Sequence, residues 1–206
     1  MLGQLRGHAR RRRHLSRGRT APQPRLQPAA GVSTGDLVER RAQRGDAFSS
    51  ALYSPCARYR YALSREWVDG PRILYVMLNP SKATEAQNDP TVERCERRAR
   101  ALGFGGFRVC NLFGWRETSP ALLKRAEQPV GPDNDSVLRQ SAAWLGTTGV
   151  ILCGWGVHGA HLERGAEVAD LLRRTGRPLR HLGVTKDGHP RHPLYVAYAQ
   201  ALLPWQ

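Results

Sequence analysis

The chain has few cysteines and no long apolar segment. None of its four cysteines lies in a Cys-x-x-Cys pair, a spacing that argues against the common zinc and dithiol redox motifs. No apolar run approaches the roughly 20 residues that a membrane helix needs, and the N-terminal arginines precede no apolar segment of a secretory signal. We therefore predict a cytoplasmic protein that contacts no membrane and holds no metal ion.

Acidic residues are also scarce, because 32 Lys and Arg residues face only 17 Asp and Glu residues, which gives a formal net charge of +15. A strongly basic balance is typical of proteins that contact polyanions, so nucleic acid or a nucleotide is the expected partner. No Walker A motif is present, and the glycine-rich segment 103–106 precedes a predicted strand instead of following one. We expect no cofactor, and we favour a monomer.

The first 46 residues lack hydrophobic periodicity and are rich in Arg, Gly, Pro and Gln, a composition typical of disordered segments. We therefore predict a disordered, Arg-rich tail over residues 1–46 and a single α/β domain over residues 47–206. The four arginines at 10–13 could touch nucleic acid, although a solvated tail is the simpler interpretation. A wrongly assigned start codon and an organellar transit peptide are two further explanations.

Strand and helix patterns alternate from residue 59 onward. Apolar runs predict strands, and amphipathic segments that start at capping residues predict helices. The predicted strands cover residues 59–64, 73–78, 107–112, 150–153 and 179–184, and the predicted helices cover 90–102, 120–123, 134–144, 158–174 and 195–203. This order predicts a three-layer αβα fold with a mostly parallel central sheet, made of about four parallel strands and an antiparallel N-terminal edge strand.

Polar motifs stand where the predicted strands end. Ligands of open α/β sheets bind outside the carboxyl ends of the strands, so we expect these motifs to converge on one cleft. Asn79 is a candidate catalytic residue, because its amide oxygen can hold a water molecule while its NH2 group donates elsewhere. The structural alternative is an Asn that closes a turn through its own backbone.

His192 is the second candidate catalytic residue, since it lies in a stiff Pro-rich loop and can donate to a developing oxyanion. An ordinary surface histidine is the alternative. Asn111 can read a nucleobase edge, and aromatic side chains can stack on a base, although core packing explains these residues equally well. The predicted base- or substrate-binding residues are Pro80, Ser81, Asn111, Phe113, Trp155 and Gly156, and the predicted phosphate-binding residues are Arg116, Lys186 and Arg191.

From residue 59 to residue 203 the chain resembles the bacterial domain of unknown function 1643. The resemblance covers most of the predicted domain and implies no settled activity. It rests on Met77-Leu78-Asn79-Pro80-Ser81-Lys82-Ala83, Asp89-Pro90-Thr91, Asn111-Leu112-Phe113, Asn134-Asp135, Trp155-Gly156 and Pro190-Arg191-His192-Pro193-Leu194-Tyr195.

The order of the motifs is also similar to that of the uracil-DNA glycosylase superfamily. Asn79-Pro80 matches the motif that positions the attacking water, and Asn111 matches the Asn that reads the base edge. The segment 150–156 matches the apolar strand that ends in Trp-Gly, and His192-Pro193 matches the late motif whose His stabilises the departing base. The resemblance implies a uracil-DNA-glycosylase-like fold and cleft.

Two functions therefore stand side by side, and the sequence leaves open whether the protein is an enzyme. The first is hydrolysis of an N-glycosidic bond of a nucleobase in nucleic acid or a nucleotide, with slow turnover because Asn79 offers no acid-base group. The second is a non-catalytic nucleotide or nucleic-acid binding module of the same fold. A hydrolase of small molecules unrelated to nucleic acid would instead bind its substrate without sensitivity to salt.

Overall fold

One eight-stranded sheet forms the centre of the computed structural model, which describes residues 37–206. The strands are β1 (Val38–Arg44), β2 (Ala47–Tyr53), β3 (Arg60–Glu66), β4 (Arg72–Met77), β5 (Gly106–Asn111), β6 (Val150–Cys153), β7 (Leu179–His181) and β8 (Leu203–Pro204). Their order across the sheet is β1-β2-β3-β5-β4-β6-β7-β8. The helices are α1 (Pro90–Ala101), α2 (Pro120–Leu123), α3 (Asn134–Trp144) and α4 (Arg164–Arg173), with 3-10 segments at Val157–Glu163 and Pro193–Tyr195.

Helices cover both faces of the sheet. In β4, Ile73, Tyr75 and Met77 join a buried cluster with α1, whereas Leu74 and Val76 join a second cluster with α3 and α4. This alternation follows from the two-residue period of a strand, and it explains why β4 is a continuous apolar run. None of the helices within residues 37–206 combines the length and the apolar character that crossing a membrane requires.

The predicted α/β class is confirmed, but the prediction of a mostly parallel sheet is wrong. The four strands β5, β4, β6 and β7 do run parallel, through three pairings. The other four pairings are antiparallel, and they join β1 to β2, β2 to β3, β3 to β5, and β7 to β8. Short connections explain two of these pairings, β1 with β2 and β2 with β3, because a hairpin turn such as Gly45-Asp46 reverses the chain, whereas a parallel pair needs a long crossover.

β1 begins at Val38, within the segment 1–46 that the sequence assigns to the tail. This strand lies at the outer edge of the sheet, and its sequence, Val-Glu-Arg-Arg-Ala-Gln-Arg, leaves every side chain exposed or half-buried. Charged side chains are common on edge strands, where they discourage pairing with other chains. The rest of the predicted tail, including the arginines at 10–13, lies outside the described residues.

The predicted closing helix over 195–203 is absent from the structure. A 3-10 turn at Pro193–Tyr195 is followed by irregular chain that leads to β8. The physical reason is Arg98 of α1, whose guanidinium takes the backbone carbonyls that a helix would have used. These carbonyls belong to Val196, Ala197, Tyr198 and Gln200, at 2.8 to 3.2 Å.

Candidate active site

The ends of the parallel strands bring the predicted motifs to one edge of the sheet. Backbone hydrogen bonds continue past β4 and β5, since the Leu112 amide donates to the Met77 carbonyl (2.8 Å) and the Phe113 amide to the Leu78 carbonyl (3.0 Å). Gly156, after β6, donates its amide to the Pro190 carbonyl (2.8 Å). The loops that carry Asn79, Asn111, Trp155 and His192 therefore lie along the same carboxyl edge.

Asn79 is half-buried, and its side chain is held in one orientation. Its Nδ2 donates to the backbone carbonyls of Glu117 (2.5 Å) and Pro80 (3.2 Å). Within residues 37–206, its Oδ1 accepts no hydrogen bond from the protein. The amide therefore presents a free acceptor with a fixed direction, which is the arrangement that holding a water molecule requires.

His192 is partly buried and neutral at ordinary pH. Burial lowers its pKa to about 4 by disfavouring the imidazolium, and the carboxylate of Asp89 offsets this effect only in part. The Leu194 amide donates to Nδ1 (3.3 Å), so Nδ1 carries no proton and the neutral ring is protonated at Nε2. His192 is thus a neutral hydrogen-bond donor through Nε2.

Asn111 is buried, with 2% of its surface exposed. Its Nδ2 is closed off from solvent and has no hydrogen-bond partner among the described residues. An unpartnered buried donor costs about 1–3 kcal/mol, so an acceptor that reached this amide would stabilise the site. Neighbouring side chains must move aside before a ligand can make that contact.

Two predicted stacking residues belong to the core. Phe113 is fully buried, and its ring lies 5.6 Å from the ring of His161. Trp155 is 2% exposed and packs edge-on against Trp205 at 5.3 Å. A Cβ atom at Gly159 would lie only 2.0 Å from the Trp155 ring, so there is no room around it. Neither aromatic ring presents a face to an open surface.

A cleft of about 400 Å³ opens beside Asn79. Residues 57–58, 81–82 and 115–118 line it, and Glu117, which accepts from Asn79, forms part of its wall. Ser81 and Arg116 were predicted from the sequence as site residues, whereas Arg58, Lys82 and Trp115 were not. Lys82 could have been found from its place directly after Asn79-Pro80-Ser81; Arg58 carries no comparable local signal.

The cleft is positively charged. Arg58, Lys82 and Arg116 line it, and Glu117 is its single acidic residue. The Glu117 carboxylate accepts from the backbone amides of Thr118 (2.7 Å) and Ser119 (3.0 Å), which lowers its pKa and directs its charge towards the backbone. Three cationic side chains and one carboxylate therefore line the cleft, which leaves it with a net positive charge.

The other two predicted phosphate contacts are not among the residues that line this cleft. Lys186 is exposed in the loop between Val184 and Pro190, which pair through an isolated bridge. Arg191 is exposed, and its Nε donates to the Val184 carbonyl (3.0 Å). Among residues 37–206, no group of three His, Cys, Asp or Glu side chains is placed to hold a metal ion.

Cys56 is an accessible cysteine next to the cleft, and the reactivity of its thiol can be measured. It is exposed, and hydrogen bonds from Ser54 and Arg58 lower its pKa to about 7. The other three cysteines are buried, and burial raises their pKa. We expect iodoacetamide to modify Cys56 alone, at a rate that is half-maximal near pH 7, because the thiolate is the reacting form.

Mass spectrometry of the alkylated chain between pH 5.5 and pH 9 measures this profile, and Cys56→Ser is the control that should remain unmodified. A midpoint near the ordinary thiol value of about 8.5, or modification of several cysteines in the folded chain, would contradict the expectation.

The structure is a mixed α/β fold whose carboxyl edge carries a basic cleft beside the fixed amide of Asn79 and, on another loop of the same edge, the neutral histidine His192. The family model described as "Protein of unknown function (DUF1643)" matches residues 60–194. The chain therefore belongs to this family, and the match includes Asn79, Asn111, Arg116 and His192 while leaving out β1 and β2. No curated protein and no solved structure gives a significant match to the chain.

Proposed function

We propose that the carboxyl edge of the sheet hydrolyses the N-glycosidic bond between a nucleobase and its sugar, in a nucleotide or in nucleic acid. The observation that carries this proposal is that one edge of the sheet holds two complementary groups, a free hydrogen-bond acceptor and a neutral hydrogen-bond donor. Asn79 offers a free acceptor for a water molecule, and His192 offers a neutral donor for a departing base. The order of the motifs, which is similar to that of the uracil-DNA glycosylases, supports the same chemistry.

In this reaction the bond between C1′ of the sugar and the base nitrogen breaks first. Its electron pair leaves with the base, and the negative charge that develops on the base is stabilised by the Nε2–H of His192. The water on Asn79 Oδ1 then forms the new bond to C1′ of the oxocarbenium-like sugar. One water proton passes to solvent, and the base nitrogen takes a proton from solvent, so Asn79 acts by positioning alone.

Recognition of the base falls to Asn111 and to an aromatic ring that is accessible. The unpartnered Nδ2 of Asn111 suits a carbonyl oxygen on the base edge. Phe113 and Trp155 are closed in the core, so Trp115, which lines the cleft, is the better stacking residue. Its ring is already fixed by an edge-on contact with Tyr59 at 5.4 Å.

A non-catalytic binding module is the second candidate. It is favoured by the burial of Asn111, since a base can contact its Nδ2 only after the surrounding side chains move. The open part of the site contains cations and a tryptophan, and its one carboxylate, Glu117, accepts from two backbone amides. Such a surface suits binding of an anionic ligand without chemistry.

Replacing Asn79 separates the two functions. The full chain is incubated with single- and double-stranded oligonucleotides that contain uracil, hypoxanthine or a mismatch, and base release and binding are measured for wild type and Asn79→Ala. If the site is hydrolytic, we expect the variant to lose about 100-fold or more in release with little change in affinity. Gln87→Ala, which removes an exposed amide from the same loop, should behave as wild type.

Release that persists in Asn79→Ala would contradict the proposed role of Asn79. Salt-sensitive binding with no release by any form of the protein would establish the binding module instead.

A further inference from the structure

Arg60 is a buried arginine with very little to balance its charge. It is 2% exposed, and its side chain makes one hydrogen bond in the described residues, from Nη1 to the Ala83 carbonyl. No carboxylate in the part of the chain that the structure describes forms an ion pair with it. Burial lowers its pKa to about 10; Tyr53 and the carboxylate of Asp89 oppose this effect, and the guanidinium of Arg116 adds to it.

The other buried arginines in residues 37–206 have more polar partners, although Arg65 and Arg98 also lack an ion pair and leave Nε without a hydrogen bond. Arg164 pairs with the carboxylates of Asp135 and Glu167. Arg65 donates four hydrogen bonds to side chains and carbonyls, and Arg98 donates four to the C-terminal segment. Burying a cation is costly unless it is paired and hydrogen-bonded, so Arg60, with one hydrogen bond and no ion pair, is the least satisfied of these four arginines.

Arg60 lies directly behind the basic cleft. Its backbone amide donates to the Gly114 carbonyl (3.0 Å), which places it beside the wall formed by residues 115–118. Its guanidinium reaches Ala83, the residue that follows the opposite wall at residues 81–82. Together with Arg58, Lys82 and Arg116 it gives four cations around one small space, with Glu117 as the only acid in the lining.

We propose that this cleft binds the terminal phosphate of a mononucleotide, with Arg60 and Arg116 at the phosphate and Arg58 and Lys82 at its rim. The inference rests on the proposed function and names the substrate class for it. A terminal phosphate carries about −1.5 to −2 charges at pH 7 and three exposed oxygens, which suits several cations better than a carboxylate does. Guanidinium groups also match phosphate oxygens in bidentate geometry.

The number of cations around the cleft favours a terminal phosphate over the phosphate of a continuous strand. A terminal phosphate carries about −1.5 to −2 charges and three free oxygens, whereas a phosphodiester carries a single charge and two free oxygens. The volume of about 400 Å³ lies in the range of sites for small ligands, roughly 300–1,000 Å³.

The position of Asn79 fits the same ligand. Its amide donates to the carbonyl of Glu117, which lines the cleft. A nucleotide whose phosphate occupies the cleft therefore extends its sugar towards the water site on Asn79. Phosphate binding would hold C1′ next to that water, which is how remote contacts assist a reaction centre.

Calorimetric titration of the full chain tests the proposal. The probes are uridine and inosine 5′-monophosphates, the two nucleosides, inorganic phosphate, and a dinucleotide whose only phosphate is a diester. We expect the monophosphates to bind about 10- to 100-fold more tightly than the nucleosides, the range for charge-assisted hydrogen bonds. Inorganic phosphate should compete with them, and the dinucleotide should bind like a nucleoside.

Arg60→Met and Arg116→Gln are expected to remove this preference without changing the affinity for the nucleosides, whereas the exposed Arg139→Gln should leave both unchanged. Arg60→Met should also unfold at the same temperature as wild type or higher without ligand, because it removes an uncompensated charge. If Arg60→Met does not fold, Arg116→Gln alone decides the affinity test.

Equal affinity for monophosphates and nucleosides, or a preference that survives Arg116→Gln, would overturn the inference, as would a dinucleotide that binds as tightly as a monophosphate. Base release from oligonucleotides without this preference would leave the hydrolytic function in place and remove only the phosphate site. A clear preference for monophosphates without any base release would support the phosphate site and contradict the hydrolytic function.

Discussion

Replacing His192 with alanine is expected to lower the rate of base release about 10²- to 10³-fold, the usual effect of removing one donor from a developing anion. The Nε2–H of His192 is the donor, and its direction is fixed because the Leu194 amide occupies Nδ1. Substrate affinity should change little, since the charge on the base develops only as the bond breaks. Single-turnover rates and binding, measured together, separate these effects, and the exposed His158→Ala is the matched control.

The pH dependence gives a second, independent test of His192. Because its pKa is about 4, the rate should show no inflection near pH 6.5, where an ordinary histidine titrates. Stability should change with pH, since the unfolded chain takes up this proton near pH 6.5 and the folded chain only near pH 4. The free energy of unfolding therefore falls as the pH is lowered through this window. In His192→Ala, this contribution of His192 to the pH dependence of the free energy of unfolding should be absent.

An inflection in the rate near pH 6.5 that disappears in His192→Ala would mean that the imidazolium is the active form. A variant rate within about threefold of wild type, far below the usual cost of losing such a donor, would mean that the side chain does not touch the departing base.

Replacing Arg164 with methionine is expected to lower the free energy of unfolding by about 2–4 kcal/mol, less than the full cost of breaking a buried ion pair, because the side chains of Asp135 and Glu167 are 35% and 58% exposed. Its guanidinium is buried between the carboxylates of Asp135 and Glu167. Its Nε also donates to the Leu112 carbonyl (3.0 Å), directly after β5. Loss of Arg164 therefore leaves a carboxylate in a half-buried position without its partner and loosens the strand end that carries Asn111.

Urea denaturation of the two proteins measures this difference. Arg173→Met is the control, because its pair with Asp170 is exposed and such pairs contribute about 0–1 kcal/mol. A loss of less than about 1 kcal/mol for Arg164→Met, well below the cost of breaking a buried pair, would show that the ion pairs add little to the fold.

The sequence predicts those parts of the fold that depend on local patterns. The apolar runs that form β4, β5 and β6 are visible in the sequence. α1 begins at Pro90 as predicted, with Asp89 as its N-cap, since the Asp89 side chain accepts from the Val92 amide (2.9 Å). β1 could not be found in this way, because an edge strand with exposed side chains needs no hydrophobic pattern. The C-terminal segment has helical periodicity, but Arg98, about 100 residues earlier, captures its carbonyls.

The candidate site is likewise predictable only where it depends on local sequence patterns. Motifs at strand ends locate the edge, because the carboxyl ends of parallel strands share one side of the sheet. Whether a side chain at that edge is open or closed depends on packing from distant segments, which buries Phe113 and Trp155. Nothing local distinguishes Arg60 from a paired arginine, since a missing partner is visible only in three dimensions.

The most direct measurement is single-turnover base release with the full chain in excess over uridine or inosine 5′-monophosphate, a format that detects slow hydrolysis. If the edge is a hydrolytic site, free base and sugar phosphate appear in equal amounts in the wild type, and both Asn79→Ala and His192→Ala remove the reaction. No release above a protein-free control, from a nucleotide that calorimetry shows to be bound, would contradict the hydrolytic function.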